Sequence, residues 1–205
     1  MAKPPYHHGD LRRALVDAAL LLVASRGPGP LTLREVARQA GVSPAAPYAH
    51  FADKSDLLAA VAEEGFRSLG RALRTAAARH RRPRPKLEAI GRAYIHFAVA
   101  HPGHFAVMFS SALTDRWHEA PLAEVSLATF TFLVDAVRAV LVEAGRPHVD
   151  PFDAALLGWS TVHGLSSLWL EGPIHRVAAH PRARRNITDL ARRIVHLSAE
   201  AVLSA

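Results

Sequence analysis

Apolar residues recur along most of the chain at intervals of three and four residues, the spacing of one face of an α-helix. In the first segment this set includes Leu11, Leu15, Ala18 and Leu22, and it stops at the turn-forming run Gly-Pro-Gly-Pro at 27–30. The same pattern and its breaks predict a short helix that starts at Pro44 and further helices at 10–26, 33–40, 53–79, 86–100, 103–113, 122–144, 151–171 and 186–203. No segment has the alternation typical of a strand, so the predicted fold class is all-α.

Two of the predicted helices are short and adjacent, between residues 32 and 50. Thr32 and Glu35 stand three apart before an apolar run, so each side chain can satisfy a free backbone N–H at a helix start. Gly41 is suited to end that helix with a positive φ. Ser43 is a good N-cap and Pro44 is tolerated in the first turn, which predicts a second helix two residues later. Helices joined this closely form a helix-turn-helix, which offers one helix to DNA.

At these residues the chain resembles the TetR/AcrR family of transcriptional regulators. Similar segments are YHHGDLRRALVDAALLLVASRG (6–27), GVSPAAPYAHFADKSDLL (41–58) and GWSTVHGLSSLW (158–169). The last resembles the Trp-x3-His-Gly (WHG) signature of one C-terminal subclass. The resemblance implies an N-terminal three-helix DNA-binding domain, a larger helical bundle and a dimer interface near the C-terminus. We therefore predict a helix-turn-helix domain at 1–54 and a ligand-binding and dimerisation domain at 55–205.

Side chains near the start of a recognition helix are those that meet base edges in the major groove. Here positions 44–49 are almost all alanine or proline, so contacts with thymine methyl groups are favoured over hydrogen-bonded readout. Tyr48 and His50 are expected to contact phosphates, and hydroxyls at helix starts can do the same. For Lys54 the resemblance implies a phosphate contact. The predicted DNA-binding residues are Thr32, Arg34, Gln39, Ser43, Ala45, Ala46, Tyr48, His50 and Lys54.

The later helices carry most of the aromatic residues and few charges. Such a set suits a pocket for an apolar or aromatic small molecule, although aromatic residues at helical spacing also commonly fill a core. The predicted ligand-pocket residues are Phe97, Phe105, Met108, Phe109, Trp117, Phe130, Trp159 and His163. For His163, the alternative is a buried histidine bonded to a neighbouring helix.

Small residues near the C-terminus favour close packing of helices across a two-fold axis. The segment 158–167 contains several glycines and serines, and the amphipathic helix 186–203 follows it. The resemblance implies a dimer interface in the same region. The predicted interface residues are Gly158, Gly164, Ser167, Ile194 and Leu197.

The formal charge of +7 suggests nucleic-acid binding, but its distribution weakens that argument. Residues 71–92 contain eight Lys/Arg against one acidic residue, whereas 1–54 contain seven against four. The basic excess is thus largest outside the helix-turn-helix. The run RHRRPRPK (79–86) combines proline with like charges and predicts an exposed connection between helices.

Several functional classes lack a sequence signal. The chain has no cysteine, and among its thirteen histidines only His101 and His104 approach a metal-ligand spacing, with no carboxylate cluster nearby. Neither a metal site nor a cofactor is expected. Phosphate-loop, dinucleotide-binding and nucleophile-elbow motifs are absent, and no segment is predicted to span a membrane. These observations predict a cytoplasmic protein that is not an enzyme.

Taken together, the sequence favours a ligand-responsive repressor that binds a palindromic operator in double-stranded DNA as a homodimer. An unidentified small-molecule effector would release it from DNA. Two alternatives remain. One is a small helical enzyme or carrier whose apolar pocket is its active part, and the other is a DNA-binding regulator without a ligand.

Overall fold

The computed structural model describes residues 8–174 and 186–204, and these residues form helices joined by short connections. Within these ranges there are eight α-helices: α1 His8–Arg26, α2 Leu33–Ala40, α3 Lys54–Ala77, α4 Pro83–Ala100, α5 Pro102–Met108, α6 Leu122–Glu143, α7 Pro151–Leu170 and α8 Ile187–Ser204. Two 3-10 segments span Ala46–Ala49 and Ser111–Arg116. No strand occurs in the described ranges, and the all-α prediction is confirmed.

Most predicted helix ends lie within a few residues of the observed ones, and the differences have local causes. Helix α4 begins at Pro83 rather than at 86, because proline is tolerated in a first helical turn. The predicted helix 103–113 stops at Met108. There Ser110 adopts an extended conformation and its hydroxyl accepts a hydrogen bond from the Ala112 N–H, which starts a separate 3-10 segment.

The described chain packs as two compact units. The N-terminal unit comprises the chain up to Phe66 together with Pro102–Ser126, and the C-terminal unit comprises Arg67–His101 and the chain from Leu127 onward. This division by packing does not follow the chain linearly, since α5 belongs with the helix-turn-helix segment. The domain boundary between residues 54 and 55 divides the chain along its sequence rather than by packing, and it stays a prediction.

In the N-terminal unit, α1 packs against α2 and α5, and α3 begins with a double cap. The Asp56 N–H donates to the Asp53 carboxylate at 2.8 Å, and the Ala52 N–H donates to the Asp56 carboxylate at 2.9 Å. An ion pair at 3.0 Å joins Asp53 to Arg116. The core includes these fully buried side chains: Leu15, Val36, Phe51, Leu57, Leu58 and Val61.

In the C-terminal unit, α4, α7 and α8 pack against one another. Gly91 lets α4 approach closely, because a Cβ there would lie 3.0 and 3.1 Å from the two methyl groups of Val195. A second group of buried residues joins α6, α7 and α8: Val137, Leu141, Ala154, Ala155 and Val202.

By length and composition alone, α6 is the one helix in the described ranges that could cross a membrane. About a fifth of its most apolar window, 22%, is buried. Buried α6 residues include Val137, Val140 and Leu141, which pack in the C-terminal unit. Since core helices of other proteins pass the same test, this is weak support for a membrane span.

Candidate functional site

The start of α2 has the predicted capping box. Thr32 has an extended backbone with φ −129°, and its hydroxyl accepts a hydrogen bond from the Glu35 N–H at 3.3 Å. The Glu35 carboxylate accepts from the Thr32 N–H at 3.1 Å and pairs with Arg26 at 2.8 Å. The hydrogen bond from Arg26, followed by that from Thr32, lowers the pKa of Glu35. Glu35 therefore stays ionised, and the first turn of the helix-turn-helix is held from both sides.

The predicted turn at Gly41 is also confirmed. Gly41 adopts φ 70°, in the left-handed region, and its N–H donates to the Arg38 carbonyl at 3.1 Å. The next N–H, of Val42, donates to the Ala37 carbonyl at 3.0 Å, so two carbonyls at the end of α2 are satisfied. This Schellman motif reverses the chain within two residues.

The second helix of the motif differs from the prediction. It is the single 3-10 turn Ala46–Ala49, and the Ser43 hydroxyl does not cap it. Its bonds run three residues back, from the Ala46 N–H to the Ser43 carbonyl and from the Tyr48 N–H to the Ala45 carbonyl. The reason is Pro47, which has no N–H for an α-helical bond and whose ring would meet the carbonyl four residues earlier. Pro47 is itself buried and anchors the turn.

Most of the predicted DNA-binding side chains lie on the surface of α2, the turn and the 3-10 segment. Tyr48 is 56% exposed, so its ring is not part of the core. The exposed members of the predicted set are Thr32, Arg34, Gln39, Ser43, Ala45 and Tyr48, whereas Ala46, His50 and Lys54 are half-buried. The Thr32 hydroxyl is already engaged in the cap, which leaves its phosphate contact a prediction.

His50 and Lys54 are less available than the sequence suggested. The Nε2 atom of His50 is buried and has no hydrogen-bond partner within the described residues. The Lys54 ammonium donates to the Gly29 carbonyl, across the loop that precedes α2. Arg38, by contrast, is exposed on α2 and was not in the predicted set. The sequence feature that could have indicated Arg38 is its position four residues after Arg34, on the same face of the helix.

The predicted ligand-pocket residues fall into the two packing units. Four of them belong to the N-terminal unit, where Phe66 contacts the rings of Phe109 and Trp117 at centroid distances of 5.7 and 5.8 Å. Phe105 contacts Phe109 at 5.2 Å, and Phe105 and Met108 are buried. Within this unit these side chains fill a core in edge-to-face contacts.

The other aromatic members lie in the C-terminal unit around Tyr94 of α4. The Trp159 indole N–H donates to the Tyr94 hydroxyl at 3.1 Å, and that hydroxyl lies 2.8 Å from Nδ1 of His163. The Tyr94 hydroxyl can donate its own proton to Nδ1 when the imidazole is neutral and carries its proton on Nε2. Burial raises the pKa of Tyr94 and lowers that of His163, while Glu171 opposes the second shift. Phe130 packs on Trp159 with ring centroids 5.7 Å apart.

The burial of His163 makes the stability of the fold depend on its imidazole remaining neutral. The pKa of His163 in the folded state lies below its ordinary value of 6.5, so the unfolded chain takes up the proton first on acidification. The stabilisation is complete above the ordinary pKa and is lost as the pH falls below it. His163→Asn keeps an oxygen acceptor near the position of Nδ1 but does not titrate.

We expect urea denaturation to show a steeper loss of unfolding free energy for the wild type than for His163→Asn between about pH 7.5 and about pH 5.5. The comparison concerns slopes, because the substitution also lowers stability at every pH. Parallel pH profiles for the two proteins would show that His163 does not carry this dependence.

One concave space of about 620 Å³ lies in the C-terminal unit between α3, α4 and the start of α8. Of the eight predicted pocket residues, only Phe97 lines it. Its lining consists of Ser68, Ala72, Ala76, Arg79, His80, Ala89, Arg92, Ala93, His96, Phe97, Ala100, His101, Thr188 and Arg192. We call this space the α3–α4–α8 groove. The groove leaves no signal in the sequence, because its lining comes from three distant segments and includes five alanines.

Helices α7 and α8 expose several large apolar side chains. Phe152, Leu156, Leu157 and Leu168 of α7 and Leu197 of α8 are 40–62% exposed. We call these five residues the α7–α8 apolar face. Among the predicted interface residues, Gly164 has open space around it, Leu197 belongs to this face, and Gly158, Ser167 and Ile194 are half-buried.

No group of three or more potential metal ligands occurs in the described ranges. Of the two histidines at metal-like spacing, His101 belongs to the C-terminal unit and His104 to the N-terminal unit. His101 stacks near Phe97 with ring centroids 4.9 Å apart, and His104 lies 3.7 Å from the Glu64 carboxylate.

Two family models match the chain. The model described as bacterial regulatory proteins, tetR family, matches residues 15–61, which include the helix-turn-helix. The model described as Tetracyclin repressor-like, C-terminal domain, matches residues 87–196, more than half of the chain. Neither description mentions the Trp-x3-His-Gly subclass, which stays a prediction.

Individual relatives agree with these matches. An HTH-type transcriptional regulator BetI from Brucella anthropi is 38% identical over 79 residues, which cover 38% of this chain and 41% of that relative. The chain thus matches about two fifths of the length of its curated relatives. A solved protein of unknown function from Rhodococcus sp. RHA1 is 29% identical with a TM-score of 0.75, covering 98% of both chains. A regulatory protein in the tetR family from Rhodococcus RHA1, 24% identical, has a TM-score of 0.74 and covers 94% of this chain and 96% of that one.

Proposed function

Because the chain belongs to the TetR family of bacterial regulatory proteins, we propose that it is a homodimeric, ligand-responsive repressor of transcription. The family is one of DNA-binding transcriptional regulators, so the protein is a regulator rather than an enzyme. The observation that carries the proposal is the exposed surface of α2 and the 3-10 segment, with Tyr48 projecting from a turn that Gly41 and Pro47 hold in place.

Two copies of this surface would bind successive major grooves of a palindromic operator in double-stranded DNA. With few side-chain donors at 44–49, sequence preference would come from methyl contacts and from DNA shape, while Arg34, Arg38 and Gln39 supply polar contacts. The α7–α8 apolar face supports a two-fold interface, since a monomer gains nothing by exposing five large apolar side chains on two neighbouring helices.

The effector would be a small molecule bound in the C-terminal unit, and the α3–α4–α8 groove is the space that supports this part of the proposal. To bind the operator, the two recognition turns of the dimer must have the spacing of successive major grooves. A ligand that binds more tightly to a form with a different spacing would shift the population away from the DNA-binding form. A cytoplasmic location without a membrane partner follows from this role.

The proposal is tested by footprinting across the protein's own promoter region at several salt concentrations. We expect a discrete, roughly palindromic protected site that survives moderate salt and is lost when an effector from a small-molecule panel is added. Uniform weak protection that disappears with salt would instead indicate only nonspecific phosphate binding.

Tyr48→Ala should weaken binding to operator and non-operator DNA alike, by about tenfold, because a phosphate contact positions the protein without reading bases. Tyr48→Phe, which keeps the ring and removes only the hydroxyl, should lie between the wild type and Tyr48→Ala. Fluorescence anisotropy with operator and scrambled duplexes measures both affinities. A loss confined to the operator duplex would assign Tyr48 to base readout.

A further inference from the structure

We propose that the α3–α4–α8 groove binds an organic anion, a small molecule with an apolar body and a carboxylate or phosphate group. The inference rests on the proposed ligand response and names the chemical class of the effector. The groove lies wholly within the C-terminal unit, so its geometry is defined by that unit alone.

The floor of the groove is apolar and made by small residues. Its lining includes Ala72 and Ala76 of α3, Ala89 and Ala93 of α4 and the buried ring of Phe97. Four methyl groups in place of larger side chains leave the space of about 620 Å³ between the helices. That volume is within the range of small-molecule sites, and its floor suits an aliphatic or aromatic body.

The rim carries only cationic and neutral polar groups. Arg79, Arg92 and Arg192 line the groove together with three histidines, and no carboxylate is among the lining residues that the structure describes. The sequence places its greatest basic excess, at 71–92, in this part of the chain. Several guanidinium groups around one concavity form a site for a carboxylate or phosphate, which they can bind bidentately.

These arginines retain hydrogen-bonding capacity for a ligand. Arg79 forms no ion pair within the described part of the chain, while Arg92 and Arg192 lie at 3.5 and 3.8 Å from Glu88 and Asp189. Each guanidinium has five N–H donors, so one long ion pair leaves most of them available. The Arg84 side chain, in contrast, is engaged with Glu88 and Glu200 and does not line the groove.

A nucleic acid is a poorer occupant for this surface than a small molecule. Phosphate backbones are contacted through exposed grooves that track them, and here the cations surround an apolar depression. An anion with an apolar body uses both parts of the site, because its hydrocarbon is buried on the alanines while its charge stays at the rim.

The test is isothermal titration of the full chain with four eight-carbon probes: octanoate, octyl phosphate, octanol and octyltrimethylammonium. We expect either anion to bind at least about tenfold more tightly than octanol, and the cation to bind most weakly. Whether octanoate or octyl phosphate binds more tightly distinguishes a carboxylate ligand from a phosphate ligand. Equal binding of octanol and both anions, or no binding of either anion, would overturn the inference.

Substitutions of the groove arginines test whether these side chains bind the anion. Arg79→Gln combined with Arg192→Gln should weaken anion binding by about a hundredfold, at roughly tenfold for each lost charged hydrogen bond. Arg81→Gln combined with Arg138→Gln removes the same charge from exposed positions outside the groove. This double variant should change the affinity for the anion by less than about twofold. If the two double variants lost affinity for the anion equally, the effect would come from net charge alone, and the groove would not be the anion site.

Operator binding, measured by anisotropy in the same samples, separates this inference from the proposed function. Selective anion binding without any change in operator affinity supports the groove and refutes the ligand-responsive regulator. Release of the operator by a compound whose effect is the same in the groove variant supports the regulator and refutes the groove as the effector site. Weaker operator binding by the groove variant without ligand would assign the arginines to DNA.

Discussion

Leu156→Glu is expected to convert the protein to a monomer and to abolish discrete protection of the operator. Leu156 belongs to the α7–α8 apolar face, with Phe152 one helical turn before it and Leu157 next to it. In a two-fold interface each substitution occurs twice, so two carboxylates would be buried without partners. Each costs several kcal/mol, and we expect the dimer dissociation constant to rise by at least about a hundredfold.

The measurements are light scattering after size exclusion, for mass, and footprinting, for operator protection. Leu127→Glu is the matched control, because Leu127 is 65% exposed on α6, outside the α7–α8 apolar face. It should leave both mass and footprint unchanged. If Leu156→Glu remained dimeric with an intact footprint, the α7–α8 apolar face would not be the dimer interface.

Gly91→Val is expected to lower the free energy of unfolding by about 2 kcal/mol. Its Cβ would lie 3.0 Å from one methyl group of Val195 on α8, before the two methyl groups of the new valine are added. Val195 is buried and β-branched, so its side chain has one preferred rotamer in a helix and cannot turn away. The helices must therefore separate, which removes packing along the α4–α8 contact.

Urea denaturation monitored by circular dichroism measures this change. Ala139→Val places the same residue type at an exposed position of α6 and should cost only about 0.5 kcal/mol, through helix propensity. If the two variants were equally stable relative to wild type, the close approach at Gly91 would not limit the packing of α4.

Local features were predictable because their partners are close in sequence. The capping box of Thr32 and Glu35 and the left-handed turn at Gly41 depend on bonds that span no more than five residues. The 3-10 form of 46–49 has an equally local cause, since Pro47 withholds the N–H that an α-helix needs. The possible N-cap at Ser43 and the tolerated Pro44 favour an α-helix at this point, whereas the second proline, Pro47, opposes one.

The sites in the C-terminal helices could not be predicted to the same extent. Aromatic residues at helical spacing look alike in sequence whether they fill a core or line a ligand site. Packing separated them: Phe109 and Trp117 contact Phe66, while Trp159 and His163 are bonded to Tyr94 some 65–69 residues away. The half-buried histidine of the second group corresponds to the alternative of a histidine bonded to a neighbouring helix.

By itself, the sequence determined the helical class, the ends of most helices and the helix-turn-helix, because periodicity, caps and turns act over a few residues. Only the tertiary structure decided which side chains share a space. It grouped Arg79, Arg92 and Arg192 around an alanine floor and left Leu156 and Leu197 exposed. Such groupings depend on how helices far apart in the chain pack together, and the residue spacing within each helix does not contain that information.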